Sequence, residues 1–401
     1  MEKNWSEKRQ LTAKAYLTAR DFANRLAFQN SAWVAFGRLF GGGAVQYAFQ
    51  GRQYRSQMGL ETNHQRDHRY RFDNLEGEKG PLRLEQNERF HSTGLFWVQE
   101  WTPLKKWAFT TAARLDRLDL QVHDLFLSDG DQSGRKTFRR FSPMAGIVFL
   151  PSPAFSVYAN LASHFEAPTL TELSANPSNL GGFNPDVKPQ TSLHGEMGLK
   201  TAMDKPAALE LALFYIALRN ELAPYQLPPY PGRVFYRNAG KSRRLGLEAF
   251  FRWTPAKGIL LSTGYTYSDF KYRDYEANGM AFDGLFAPGI PAHQLTTSLQ
   301  WTTASGFFCS LQLRALSRQF TDDANTTLEP DYALVNARTG YTFSGKSMEM
   351  EPFAGVNNLF AAAYSGNILL NAAGSRYFEP DADLPFIFAG IRLRAASKRM
   401  E

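Results

Sequence analysis

Residues 155–173 read FSVYANLASHFEAPTLTEL. From Phe155 to Phe165 apolar and polar side chains alternate: Phe155, Val157, Ala159, Leu161 and Phe165 fall on one face, Ser156, Tyr158, Asn160 and His164 on the other. A period of two makes a strand whose faces meet different media. The run ends at Ala167, Pro168 and Thr169, where proline removes an amide donor and holds the preceding residue extended. The alternation returns in LLSTGYTYSDF, QLTTSLQW, SLQLRA and YALVNARTGYTF. No long apolar stripe of helical period accompanies it, so the expectation is an all-β chain. Many runs reach about ten residues, against about five or six in soluble sheets.

Working outward, the connections alternate in length. TPLKK, PSP, LKTAMDKP, TPAKG, TASG and SGKS are tight, whereas residues 123–137, 166–187, 222–233, 270–291 and 362–383 are long and rich in Gly, Pro, Asn and Asp. Short turns at one end and long loops at the other predict an antiparallel transmembrane β-barrel of about 17 strands. Trp101, Trp107, Trp253 and Trp301 lie near the short turns, where an interfacial aromatic girdle belongs. A propeller would repeat with a period of about 40–50 residues, and no such repeat is visible.

Composition narrows the classes further. The chain has 401 residues, 14% aromatic and 43% hydrophobic, with a mean hydropathy of -0.37. No window approaches 18 consecutive apolar residues, which excludes a membrane helix. No linker divides the chain, so residues 1–401 are expected to be one unit. The single cysteine, Cys309, excludes an internal disulfide and a thiolate metal site. The net charge of +7 comes from Lys and Arg scattered along the sequence beside acids, without a basic stripe, so no nucleic acid is expected as a partner.

Four stretches resemble one family in order. HFEAPTLTEL with NPDVKPQTSLHGEMGLK is similar to the mid-barrel signature of TonB-dependent outer-membrane receptors. FYIALRNELAPY with YRNAGKSRRLGLE, then APGIPAH, then VNNLFAAAYSG with GSRYFEP, resemble its later segments. ARDFANRLAF, GLETNHQRDHRYRFDN and FLSDGDQSGRKTFRRFSP also look like this family, particularly its ferric-siderophore receptors. The motif positions are Pro168, Thr169, Glu172, Leu173, Asn184, Pro185, Pro189, Asn238, Gly240, Gly246, Glu248, Asn358, Leu359 and Phe360. Their expected roles are structural: Pro168 and Thr169 set an exit angle, Pro185 and Pro189 stiffen the re-entry, Asn238 and Gly240 suit a kink or bulge, Gly246 leaves space in the lumen, and Asn358 serves a turn or the polar lumen.

The resemblance implies a 22-strand barrel in the outer membrane of a Gram-negative cell, contacting outer-membrane lipid, monomeric, taking up a ferric siderophore or other metal chelate without a cofactor. The family's signal peptide, TonB box and plug are not found in the sequence, and an odd count of about 17 strands predicts a partial wall lacking about five. TonB would then act only through a plug and TonB box absent here, and the barrel portion alone is expected to be non-functional. A passive porin, or a remnant or half of a split receptor gene, are the alternatives.

Enzyme chemistry finds no support. His64 and His68 on a strand lie about 13 Å apart, too far to share a metal. Asp129, Asp131 and Ser133 have calcium-loop spacing but lack the closing acid. His91 with Ser92, and Ser163 with His164, point to opposite faces and cannot form a dyad. The candidate ligand contacts are Tyr225, Tyr230, Arg233, Tyr236 and Arg237 in APYQLPPYPGRVFYR, where aromatic faces and guanidinium groups can hold an anionic chelate.

Overall fold

The computed structural model describes residues 2–6, 8–25, 33–178, 182–201, 206–230, 233–277, 279–345, 348–372 and 384–395. The GSRYFEP stretch at 374–380 lies outside them, as do residues 231 and 232 of the candidate loop.

The alternating runs become strands β1 (Glu2–Ser6), β2 (Arg9–Arg25), β3 (Trp33–Gln50), β4 (Tyr54–Leu75), β5 (Glu78–Leu104), β6 (Trp107–Asp124), β7 (Gly134–Ser152), β8 (Phe155–Glu166), β9 (Gln190–Thr201), β10 (Ala207–Gln226), β11 (Val234–Trp253) and β12 (Ile259–Asp274). Five more follow: His293–Thr302, Phe307–Leu316, Tyr332–Tyr341, Met348–Asn357 and Phe386–Ala395. One antiparallel sheet holds them all, with 18 strands when the two-residue segment Phe343–Ser344 is included. Each long strand pairs with its neighbours in sequence, so the sheet is a meander. Among the described residues, β1 does not pair with the final strand.

The two faces of the sheet differ as the alternation requires. Val157 and Leu161 are 41% and 53% exposed on the outer face, whereas Tyr158 points inward and donates to Glu196 Oε1 at 2.8 Å. The inner face also carries a repeated device: Phe96 lies over Gly59, Tyr158 over Gly198, Phe214 over Gly246, Phe308 over Gly340 and Phe388 over Gly355, each on the directly opposed strand. A methyl group at any of these glycines would collide with the ring. At Gly246 the expected lumen space is therefore filled by Phe214.

The strands β4 and β5, of 22 and 27 residues, far exceed the about 9–11 residues that cross a bilayer. They rise past the apolar band and join through Glu76 and Gly77, both at positive φ (55° and 100°), the geometry of a primed hairpin turn. The Gly77 amide donates to Asn74 Oδ1 at 2.7 Å.

The opening stretch brings one departure. The chain leaves β8 at Pro168 and forms a short helix, α1 (Leu170–Ser174), where only a corner is expected. Thr169 caps it: the Glu172 amide donates to Thr169 Oγ1 at 3.2 Å, and the Thr169 amide donates to Glu172 Oε2 at 2.7 Å. This reciprocal pair satisfies two amides that a helix start leaves open.

Candidate functional site at the long-loop end

The family motif residues around α1 form a strap across the wall. Leu170 and Leu173 are buried with Leu120 and Val187, and the Asn184 amide donates to Leu173 O at 2.6 Å. Lys136 on β7 donates its ammonium to the carbonyls of Asn184, Pro185 and Val187 at 2.9, 3.2 and 3.2 Å. Asn238 on β11 accepts from the Lys188 amide at 2.7 Å and donates to Lys188 O and Asn220 O at 2.9 and 2.8 Å. Beneath α1, Ser174 donates to Glu88 Oε1 at 3.0 Å, and Arg69 Nε reaches the same carboxylate at 2.8 Å. The loop after β8 is thus fixed at both ends rather than hanging free. Asn220 adopts φ 56° opposite Gly240, and the β11–β12 register shifts between Lys241 and Ser242, while Asn238 keeps regular register with Leu222.

A second knot joins three loops. Asp323, whose side chain is 2% exposed, accepts from the Tyr272 and Tyr275 hydroxyls, both at 2.8 Å, and from Arg237 at 3.0 Å. Its amide donates to Asn371 Oδ1 at 2.9 Å, and Asn371 Nδ2 donates to Pro224 O at 2.9 Å. Phe282, Ala223, Ala239 and Ala287 pack around the tyrosines. Burial and the Asp323 charge push the Tyr275 hydroxyl well above its ordinary value, so it stays protonated as a donor.

Arg233 sits differently. Its guanidinium lies 5.6 Å from the Tyr230 ring and 4.7 Å from the Phe235 ring, and both rings contact each other. Burial, and next the neighbouring positive charge of Arg71, push Arg233 down to about 10 from 12.5. Arg71 is a buried residue on the inner face of β4. Two guanidinium groups beside two tilted aromatic rings gather positive charge there, with Asp129 and Asp73 acting on Arg71.

The structure therefore divides the five candidate contacts. Arg237 and Tyr225 belong to the knot, the guanidinium lying 4.8 Å from the Tyr225 ring. Tyr236 packs on the cluster around Leu173, and Tyr230 and Arg233 remain together with Arg71. Glu248 lies apart, lower on the inner wall, where Tyr158, Glu196, Lys200 and Glu210 line the same 460 Å³ depression. Asn358 adopts φ 52° and ties its turn through the Ala362 amide and carbonyl at 2.8 and 2.9 Å, while Leu359 and Phe360 are 39% and 71% exposed. Sequence reasoning missed Arg71 and Asp323. The alternation along β4 could have placed Arg71 inward; nothing in TDDAN marks Asp323. Among the described residues, no three or more His, Cys, Asp or Glu cluster as metal ligands.

Residues 3–359 match the family model described as TonB dependent receptor-like, beta-barrel. The chain is 25% identical over 252 residues to the ferrioxamine receptor of Yersinia enterocolitica, covering 63% of this chain and 32% of that protein. It is 23% identical over 281 residues to the iron-regulated outer membrane virulence protein of Vibrio cholerae, covering 64% and 40%. Among solved structures, the ferric citrate transporter FecA superposes with a TM-score of 0.79 at 16% identity, covering 98% of this chain and 60% of that one. The ferric yersiniabactin uptake receptor FyuA from Yersinia pestis gives 0.72 at 16% identity, with 98% and 60% covered. The chain thus spans about a third to two fifths of the length of these curated relatives.

Proposed function

Because this chain belongs to the TonB-dependent receptor β-barrel family, we propose that it forms the wall and mouth of an outer-membrane receptor for a ferric siderophore or similar metal chelate. The chelate would carry net negative charge. The observation that supports this is Arg233, held beside Arg71 over the Tyr230 and Phe235 rings at the long-loop end. A bulky chelate can stack on the rings and place its carboxylate or catecholate oxygens on the guanidinium groups, with no direct bond from protein to metal. Coupled transport would require TonB, engaged through a plug and TonB box.

A porin reading has less support, since the Yersinia enterocolitica relative and the two solved structures named above are receptors and a transporter of iron chelates. The test is binding of radio-iron loaded ferric citrate, which is anionic, against ferrioxamine B, whose ammonium tail leaves it cationic, to outer membranes containing the protein. Preference for ferric citrate that disappears in Arg233→Ala supports the reading. Equal binding of the two chelates, or an Arg233→Ala variant that binds like the native chain, would overturn it.

A further inference from the structure

The outer wall holds a feature that chelate uptake does not use. On the outer face of β4–β7 the cross-strand register sets side chains in rows that run from strand to strand. One row is Leu60, Leu95, Leu115 and Phe141, each 51–54% exposed, as a lipid-facing band requires. The next row toward the long-loop end is Thr62, Thr93, Arg117 and Arg139. Above it come His64, His91, Asp119 and Thr137, then Arg66, Arg89, Gln121 and Arg135. Apolar side chains thus give way within one row to five arginines and a single aspartate, all on one face. The cations are far apart in sequence, and only strand pairing gathers them.

Asp119 is engaged by Arg117 at 2.8 Å and Arg135 at 2.9 Å. Arg66, Arg89 and Arg139 have exposed side chains and make no ion pair among the described residues. The wall across β10–β12 is the internal control. There Lys271 and Arg243 pair with Asp269, and Lys241 pairs with Asp274 at 2.7 Å, so that Arg219 and Arg273 make no ion pair among the described residues of that edge but stand beside paired neighbours. Between the arginines of β4–β7 lies a depression of 470 Å³ whose lining includes His64, Arg66, Arg89, His91, Arg135 and the arginine-paired Asp119.

We propose that this patch binds the phosphorylated headgroups of the outer-leaflet lipid. Its height fits that occupant: directly above the apolar row is where headgroup phosphates of a bilayer lie. Its chemistry fits too, since guanidinium forks pair bidentately with phosphate oxygens. The inference rests on the membrane placement of the wall, not on the identity of the chelate.

The test uses the protein extracted in detergent and exchanged into phosphatidylcholine nanodiscs. It is titrated with a bisphosphorylated lipid A, with the same lipid after both phosphates are removed, and with inorganic phosphate, bound lipid being read by native mass spectrometry. The native chain should retain the phosphorylated lipid and not the dephosphorylated one. Inorganic phosphate should neither bind nor compete. The variant R66A/R89A/R139A should lose about a hundredfold in retention at low salt, taking roughly one tenfold step or a little less per cation, while the triple lysine variant keeps most of it and R219A is unchanged. Equal retention of the two lipids by the native chain overturns the proposal without recourse to any variant. Loss in R219A equal to that in the triple alanine variant does so as well, and competition by inorganic phosphate would replace the lipid with a soluble anion.

Discussion

Arg233 and Arg237 are four residues apart in one segment that also carries Tyr230 and Tyr236, and the sequence offers no reason to treat them differently. The fold does. Arg237 finds a buried carboxylate, Asp323, already shared with two tyrosine hydroxyls; Arg233 finds another arginine nearby and loses proton affinity. One guanidinium is neutralised inside the protein and closes the loops. The other lies beside Arg71 and against the Tyr230 and Phe235 rings, where positive charge and aromatic surface meet.

Four expected outcomes probe that contrast, the largest first. Asp323→Ala removes the buried carboxylate shared by Arg237 and two tyrosine hydroxyls and should cost about 3 kcal/mol, read as a lowered denaturant midpoint of the folded protein in lipid. A loss well under 1 kcal/mol would remove the structural role assigned to Arg237. The next tests whether both arginines stand on a membrane wall at all. Val157→Arg on the outer face of β8 should cost about 2–4 kcal/mol at mid-bilayer depth, and Asn160→Arg on the inner face far less, as measured by unfolding in a bilayer; equal costs would reverse the faces.

Third, Arg233→Ala should lower affinity for an anionic chelate by about 1.5–3 kcal/mol, the worth of a hydrogen bond to a charged group, a larger effect on binding than on stability. Arg237→Ala should lower stability first, and calorimetric binding paired with thermal unfolding separates the two. If the pair responds alike, the distinction between them fails. The smallest effect belongs to the strap: Thr169→Ala removes the helix cap and should cost about 1 kcal/mol, with faster amide exchange confined to residues 169–175. Exchange that spreads to the Asp323 knot would show that strap and knot are one cooperative unit.

Much of the wall was legible because alternation is local. FSVYANLASHF and QLTTSLQW carry their faces in their own sequence, and proline with short polar turns marks where strands end. The helix after Pro168 was also written there, since Thr169 and Glu172 have capping-box spacing, but the neighbouring proline drew the reading toward a corner. The site resisted for a different reason. The partnership of Arg237 with Asp323 spans 86 residues, and Arg71 on β4 approaches Arg233 just ahead of β11, so neither leaves a periodic trace. The same holds for the outer arginines, which look scattered along the chain and become a patch only through register.

The glycines beneath rings on the inner face bear on how the wall is built. Each ring is admitted only where the opposite strand offers a residue without a side chain. A hairpin that slips by two residues keeps every side chain on its proper face, so alternation alone would not detect the error. Beneath the ring of Phe214 such a slip would bring Arg244 or Glu248 in place of Gly246, and beneath Phe308 Arg338 or Thr342 in place of Gly340. The glycine and ring pairs therefore act as a lock-step check on alignment as successive hairpins are added, recorded at intervals around the sheet from β4–β5 to the last strand.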